Sequence, residues 1–180
     1  MSKIVAVFGT AQVQPDSELY KTGEIIGYML AKAGFKVMNG GYEGVMEAVS
    51  KGAAEAGGSI HGITVEKFER VGESRMNKWV SLEYRYATLP ERVDHLVNRA
   101  DAYIMMPGGI GTMHEFSEIW QRMRLGDIPQ RPFFIYGDFW KTIINQMQDD
   151  GYIHELDIDM LLFVKSPQEI IGALKAWYKD

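Results

Sequence analysis

Short apolar runs alternate with helix-length segments along the chain, and this alternation limits the possible folds more than any other feature. The apolar runs are predicted to be six β-strands, over residues 3–9, 35–41, 59–65, 101–107, 132–137 and 160–166. The segments between and after them are predicted to be helices, over residues 17–34, 43–56, 88–99, 111–125, 138–149 and 167–178. Such alternation, with nearly continuous apolar strands, is typical of a parallel sheet that is covered on both faces. We therefore predict an α/β fold, a Rossmann-like doubly wound parallel sheet with helices on both faces. Because no Gly/Ser/Pro-rich linker interrupts the pattern, residues 1–180 are predicted to form a single domain.

Glycines cluster where the predicted strands end. They are Gly9 after the first strand, Gly40, Gly41 and Gly44 after the second, and Gly108, Gly109 and Gly111 after the fourth. Ligands of doubly wound sheets bind beyond the carboxyl ends of the strands. Two of the loops, "NGGYEGVMEA" and "PGGIGTMHE", run from a strand into a helix, whose free amide groups and positive dipole end suit a monophosphate. The alternative is that these glycines only make tight turns.

Other nucleotide-binding motifs are disfavoured. The first turn, "FGTAQVQPD", has one glycine instead of G-x-G-x-x-G, and the second strand ends in Met38 and Asn39 without an acidic residue. No lysine follows "GGIGT", so the Walker pattern of ATP and GTP hydrolases is absent as well. Classical NAD(P) binding and nucleoside triphosphate hydrolysis are therefore not expected.

The Thr112-x-x-Glu115 spacing has two interpretations. It matches a helix capping box, and the spacing alone favours that interpretation. However, Glu115 follows the carboxyl end of a predicted strand, where a carboxylate in the first helical turn can face the ligand crevice. Arg92, on the preceding helix, is either a surface residue or a partner in such a site.

The composition and the residue spacing argue against several classes of protein. A net charge of −5 argues against a nucleic-acid-binding surface, and the lack of cysteine excludes disulfides and thiolate chemistry. The histidines show no metal-ligand spacing, so we expect no metal. We expect no cofactor either. The amino-terminal apolar run is too short for a signal peptide, and no later run approaches the ~18 residues of a membrane span. We expect a cytoplasmic protein without a nucleic-acid or membrane partner.

The segment "PGGIGTMHE" (107–115) resembles the P-G-G-x-G-T-x-x-E hallmark of the Lonely guy (LOG) family, whose members are cytokinin riboside 5′-monophosphate phosphoribohydrolases. The segment "GGYEGVMEAVSKGAAEAGG" (40–58) is similar to the family's G-G-x-x-G-x-M segment. The segment "ERVDHLVNRADAYIMMPGG" (91–109) is similar to its E-R…D-A-(apolar)-P-G-G segment. The resemblance extends from the first strand to about residue 140.

This resemblance implies that Arg92 and Glu115 are catalytic residues. The implied reaction hydrolyses the N-glycosidic bond of a purine nucleoside 5′-monophosphate, either AMP or a cytokinin riboside monophosphate, to free base and ribose 5-phosphate. A carboxylate can stabilise the ribosyl cation and orient or deprotonate water, while Arg92 can clamp the substrate or stabilise negative charge on the departing base. The predicted substrate- and phosphate-binding residues are Gly9, Thr10, Gly40, Gly41, Gly44, Met46, Arg75, Gly108, Gly109, Ile110, Gly111 and Thr112.

Many relatives carry an old lysine decarboxylase label, which we do not expect to apply. A pyridoxal-phosphate enzyme needs a Schiff-base lysine, and neither glycine loop contains one. Val93 follows Arg92 where the family usually has lysine, which keeps a second interpretation open. In that alternative the protein is a non-catalytic carrier of a nucleotide or of molybdenum cofactor.

The segment 66–86, "EKFERVGESRMNKWVSLEYRY", follows the third predicted strand and carries five basic and four acidic residues, a local charge of +1 against −5 for the whole chain. Connections this long are usually functional or disordered, and Trp79, Tyr84 and Tyr86 argue against plain disorder. We predict a lid that brings Arg75 or Lys78 near the ligand; the alternative is a solvated loop. LOG proteins form at least dimers, so a homodimer or higher homo-oligomer is expected.

Overall fold

The computed structural model of the chain describes residues 2–70 and 75–179, and its strands form one parallel sheet. The strands are β1 (Ile4–Phe8), β2 (Lys36–Asn39), β3 (Ile60–Val65), β4 (Leu82–Tyr86), β5 (Ala102–Met105), β6 (Phe133–Tyr136) and β7 (Leu162–Val164). Their order in the sheet is β4-β3-β2-β1-β5-β6-β7, and every neighbouring pair is parallel. This arrangement confirms the predicted doubly wound α/β fold.

The helices cover both faces of the sheet. They are α1 (Glu18–Lys32), α2 (Val45–Glu55), α3 (Glu66–Arg70), α4 (Leu89–Arg99), α5 (Ile110–Leu125), α6 (Asp138–Asp149), α7 (Glu155–Ile158) and α8 (Pro167–Trp177). Alternate residues of β1 enter different cores, because successive strand side chains point to opposite faces. Val5 and Val7 pack with α1, α2 and α8, whereas Ala6 and Phe8 pack with α4, α5 and α6. None of the helices in the described ranges is long and apolar enough to cross a membrane.

The predicted number of strands is wrong: six were expected, and the segment 66–86 contains a seventh. Residues Leu82–Tyr86 form β4, which pairs with β3 at the edge of the sheet, with Tyr84 opposite Ile63. Most of its side chains are exposed, so an edge strand of this kind has no apolar run to reveal it. The short helices α3 and α7 were not expected either. The centre of the predicted lid, residues 71–74, lies outside the described residues.

The topological switch point lies at β1, which has β2 on one side and β5 on the other. Three loops meet at the carboxyl ends of these strands. The backbone N–H of Thr10 donates to Pro107 O (3.0 Å), and the backbone N–H of Val45 donates to Thr10 O (2.9 Å). The loops after β1, β2 and β5 are therefore tied together where a doubly wound sheet binds its ligand.

Candidate functional site

A cavity of about 380 Å³ lies at these carboxyl ends, between the first turns of α4 and α5. The predicted site residues that line it are Gly9, Thr10, Met46, Arg92, Gly109, Ile110, Gly111, Thr112 and Glu115. The predicted residues that do not line it are Gly40, Gly41, Gly44, Arg75 and Gly108. The two residues expected to be catalytic are thus brought together with the amino-terminal end of α5.

Arg92 lines the cavity and is held there by several contacts. A capping box between Thr88 and Glu91 begins α4 and places Arg92 in its first turn, directed at the sheet. The guanidinium Nε donates to the Ile63 carbonyl at 2.7 Å, and only 5% of Arg92 is exposed. The aromatic rings of Tyr42 and Phe68 also face the guanidinium, with centroids at 5.7 and 5.9 Å. Charge and aromatic contact together stabilise one position of this side chain.

Glu115 lies beside Arg92 and is buried as well. Its Oε1 is 3.5 Å from Arg92 Nη1. Burial raises the pKa of the Glu115 carboxyl to about 7, because the charged form loses its solvation, and the nearby Arg92 charge only partly opposes this increase. The carboxyl can therefore gain and lose a proton near neutral pH.

The capping-box interpretation of Thr112 and Glu115 is wrong. Helix α5 begins at Ile110, its N-cap is Gly109, and no side chain caps it. Thr112 is therefore already inside the helix, where its buried side chain packs against Gly108 and leaves no room for a Cβ atom there. Glu115 lies one turn further along α5 and faces the cavity.

The loop after β2 contains glycines where a side chain would collide with neighbouring parts of the site. Gly44 has φ +66°, and a Cβ atom at this position would come within 2.5 Å of Thr10 O and 2.6 Å of Ala11 Cα. A side chain at residue 44 would push away the loop after β1, which lines the cavity. Tyr42 of this loop lines the cavity, and so does Met46 at the start of α2.

Arg75 lies away from the cavity. Its side chain is exposed, and its backbone N–H is 3.5 Å from Glu43 Oε1. Asn77 fixes this part of the chain on the outer side of the loop after β2, because its backbone N–H donates to Gly41 O (2.8 Å) and its Nδ2 donates to Tyr42 O (2.9 Å). Lys78 does not line the cavity either; its Nζ lies 4.9 Å from the centroid of the Trp79 ring. Among the described residues of the predicted lid, Phe68 does reach the cavity.

Several lining residues were not predicted from the sequence. They are Ala11, Gln12, Tyr42, Phe68, Leu89, Val93 and His114. Tyr42 and His114 lie inside the two glycine-rich segments, so their positions in those segments were an available signal. Phe68 and Leu89 had none, because tertiary packing brings them to the cavity: the Phe68 ring contacts the Tyr42 ring, and α4 packs against β3. In the described ranges no group of three or more His, Asp and Glu side chains could hold a metal ion.

The fold and site define a doubly wound α/β protein with a small-molecule cavity at its switch point, formed by a buried arginine–glutamate pair and a helix amino terminus. Residues 46–174 match the family model described as "Possible lysine decarboxylase". The chain belongs to this family, which is the LOG (Lonely guy) family.

Relatives support this assignment at modest identity. A cytokinin riboside 5′-monophosphate phosphoribohydrolase of Arabidopsis thaliana is 27% identical over 78% of this chain, and the match covers 63% of the plant protein. An enzyme of the same name from Rhodococcoides fascians is 23% identical over 97% of this chain and 90% of its own length. The molybdenum cofactor binding protein of Rippkaea orientalis has the same fold, with a TM-score of 0.78, 21% identity and 99% of both chains covered.

Proposed function

We propose that this protein hydrolyses the N-glycosidic bond of a nucleoside 5′-monophosphate and releases the free base and ribose 5-phosphate. The position of Glu115 carries the proposal. Its buried carboxyl has a pKa raised to about 7, and it lies 3.5 Å from the Arg92 guanidinium in the cavity that reaches the amino terminus of α5. A carboxylate with this pKa is suited to accept a proton from water near neutral pH. The names of the relatives support the same reaction class.

The amino terminus of α5 is the proposed binding site for the phosphate. The first helical hydrogen bond runs from the Met113 N–H to Gly109 O, so the amides of Ile110, Gly111 and Thr112 have no partner within the helix. These residues line the cavity, and the positive end of the helix dipole favours an anion there. Glu115 lies three residues further along, which is ~4.5 Å of helix. The ribose of a bound nucleotide is proposed to lie between the phosphate and this carboxylate.

The proposed reaction replaces the C1′–N bond with a C1′–O bond. The C1′–N bond breaks, and its electron pair stays on the base. The oxygen of a water molecule bonds to C1′, and the water gives a proton to Glu115. The carboxylate also stabilises the positive charge that develops on the ribose. Arg92, which keeps its proton, can hold the substrate and orient Glu115.

Incubation with AMP and with N6-isopentenyl-AMP tests the proposal. Chromatography should detect a free base and ribose 5-phosphate from at least one of them, and the Glu115→Gln variant should release neither. If the unmodified protein releases no base from either nucleotide, the proposal is wrong.

A second candidate is a carrier that binds a nucleotide or molybdenum cofactor without cleaving it. The observation that favours it is Val93, which is 3% exposed and lines the cavity at a position where the family usually has lysine. Tight binding of a nucleotide with no release of base would support the carrier.

We also propose that the protein is a homodimer, as the LOG family resemblance implies. Multi-angle light scattering should give about twice the mass of the 20.4 kDa chain. A mass that matches one chain would contradict the dimer without affecting the proposed chemistry.

A further inference from the structure

The departing base needs a proton, and His114 is placed to supply it. When the C1′–N bond breaks, its electron pair leaves a negative charge on an unprotonated purine, which is therefore a poor leaving group. A general acid that protonates the purine accelerates this step. Among the described residues, the ionisable side chains that line the cavity are Tyr42, Arg92, His114 and Glu115. We propose that His114 is the residue that protonates the leaving base, an inference that rests on the proposed hydrolysis.

The other ionisable side chains that line the cavity are not suited to protonate the departing base. Glu115 receives the proton of the attacking water, so it cannot give one to the base in the same step. Arg92 does not release its proton in proteins. The Tyr42 hydroxyl is engaged on both sides, because it donates to Val65 O (3.2 Å) and accepts from the Val65 N–H (2.8 Å).

The His114 side chain, by contrast, is exposed at the cavity rim and makes no hydrogen bond or ion pair with any residue in the described part of the chain. Imidazole is the side chain that most often exchanges protons near neutral pH. Glu115, the next residue, is 9% exposed and lies deeper. With the phosphate at the amino terminus of α5 and C1′ beside Glu115, the base extends toward the rim where His114 lies.

In the proposed step His114 donates one proton and the neighbouring Glu115 accepts one. As the C1′–N bond breaks, the imidazolium of His114 gives its proton to a ring nitrogen of the base. The water oxygen bonds to C1′, and the water proton passes to Glu115. Afterwards the Glu115 proton returns to solvent and His114 takes one from solvent, so the net reaction consumes one water molecule.

Two substrates with different leaving groups test the role of His114. AMP needs a protonated leaving base, whereas 4-nitrophenyl β-D-ribofuranoside 5-phosphate releases a nitrophenolate that is stable without a proton. His114→Gln should lower kcat for adenine release by about 100-fold or more, the usual contribution of a general acid. The same variant should cleave the nitrophenyl substrate within about 3-fold of the unmodified protein, because the acid is not needed there.

Met113→Gln is the matched control, since Met113 is exposed on the same helical turn but does not line the cavity. It should leave both rates unchanged, and thermal unfolding should show that both variants fold. Equal losses on the two substrates, or unchanged adenine release by His114→Gln, would overturn the role of His114 while the proposed hydrolysis stands. If the unmodified protein cleaves neither substrate, the proposed function fails, and this inference fails with it.

Discussion

Gly40 lies directly behind the Arg92 guanidinium, so close that a Cβ atom on residue 40 would overlap Arg92 Nη2. The same Cβ would come within 2.6 Å of Met46 Sδ, which lines the cavity with Arg92. Arg92 is also held by a hydrogen bond, in which its Nε donates to Ile63 O at 2.7 Å. The position of the guanidinium beside Glu115 therefore depends on the absence of a side chain at residue 40.

Gly40→Ala is expected to displace Arg92 and to lower kcat for AMP hydrolysis by about 100-fold, since a displacement of about 1 Å can cost that much. Overpacking should also lower the free energy of unfolding by about 1–3 kcal/mol, measured in urea. The control is Gly172→Ala in α8, where no atom lies within 4 Å of the new Cβ. It should keep kcat and stabilise the fold by about 0.5–1 kcal/mol. A normal kcat in Gly40→Ala would show that the position of Arg92 does not limit the reaction.

Glu115→Gln is expected to lower hydrolysis at least 100-fold while ribose 5-phosphate still binds, since loss of a preorganised charge typically costs ~100- to 1000-fold. The start of α5 should be unaffected, because Gly109 and not Thr112 is its N-cap. Calorimetric titration with ribose 5-phosphate and circular dichroism check binding and fold. Wild-type turnover in this variant would remove Glu115 from the mechanism.

The low-pH side of the pH dependence of the rate should follow Glu115. The carboxylate must be ionised to accept a proton from water, and burial raises its pKa to about 7. We therefore expect kcat/KM to rise with pH up to about 7 as the carboxylate ionises. In Arg92→Met the rise should move to higher pH, because the arginine charge lowers the pKa of Glu115. An unchanged midpoint in that variant would contradict the coupling between the two residues.

The same carboxyl should make the fold less stable as the pH rises. Its pKa is raised from 4.5 to about 7 in the folded protein, so between these values the unfolded chain releases a proton that the folded chain keeps. The free energy of unfolding therefore falls across this window, by on the order of 3 kcal/mol for this group. Below pH 4.5 the group has no effect, and above about 7 the loss is complete. Glu115→Gln should remove this fall, which urea denaturation from pH 4 to 8 would measure as a growing difference in favour of the variant.

The sheet could largely be predicted from the sequence because its strands are buried. Buried parallel strands are continuous apolar runs, and six of them were found in that way. Strand β4 was missed because it is an exposed edge strand, and edge strands carry polar residues that blunt pairing with other chains. Tertiary contact with β3 determines its conformation.

The candidate site could be predicted only in part. The glycine loops marked the correct strand ends, but local spacing favoured the wrong role for Glu115, since Thr112-x-x-Glu115 matches a capping box that the helix does not form. The contact between Arg92 and Glu115 joins two helices across the cavity, and no periodicity within one segment indicates it. Phe68 was missed for the same reason, because its contact with Arg92 joins α3 to α4.

Tyr42, in the loop after β2, makes two kinds of contact that can be tested separately, one through its hydroxyl and one through its ring. Its hydroxyl bonds both backbone groups of Val65, and its ring faces the Arg92 guanidinium at 5.7 Å. Tyr42→Phe removes only the hydroxyl, so the free energy of unfolding should fall by about 1–3 kcal/mol while kcat stays near that of the unmodified protein. Tyr42→Leu also removes the ring, and the lost cation–π contact should let Arg92 move and lower kcat about 10-fold further. Urea denaturation and AMP hydrolysis by the two variants measure these effects, and equal kcat values in both would show that the ring does not position Arg92.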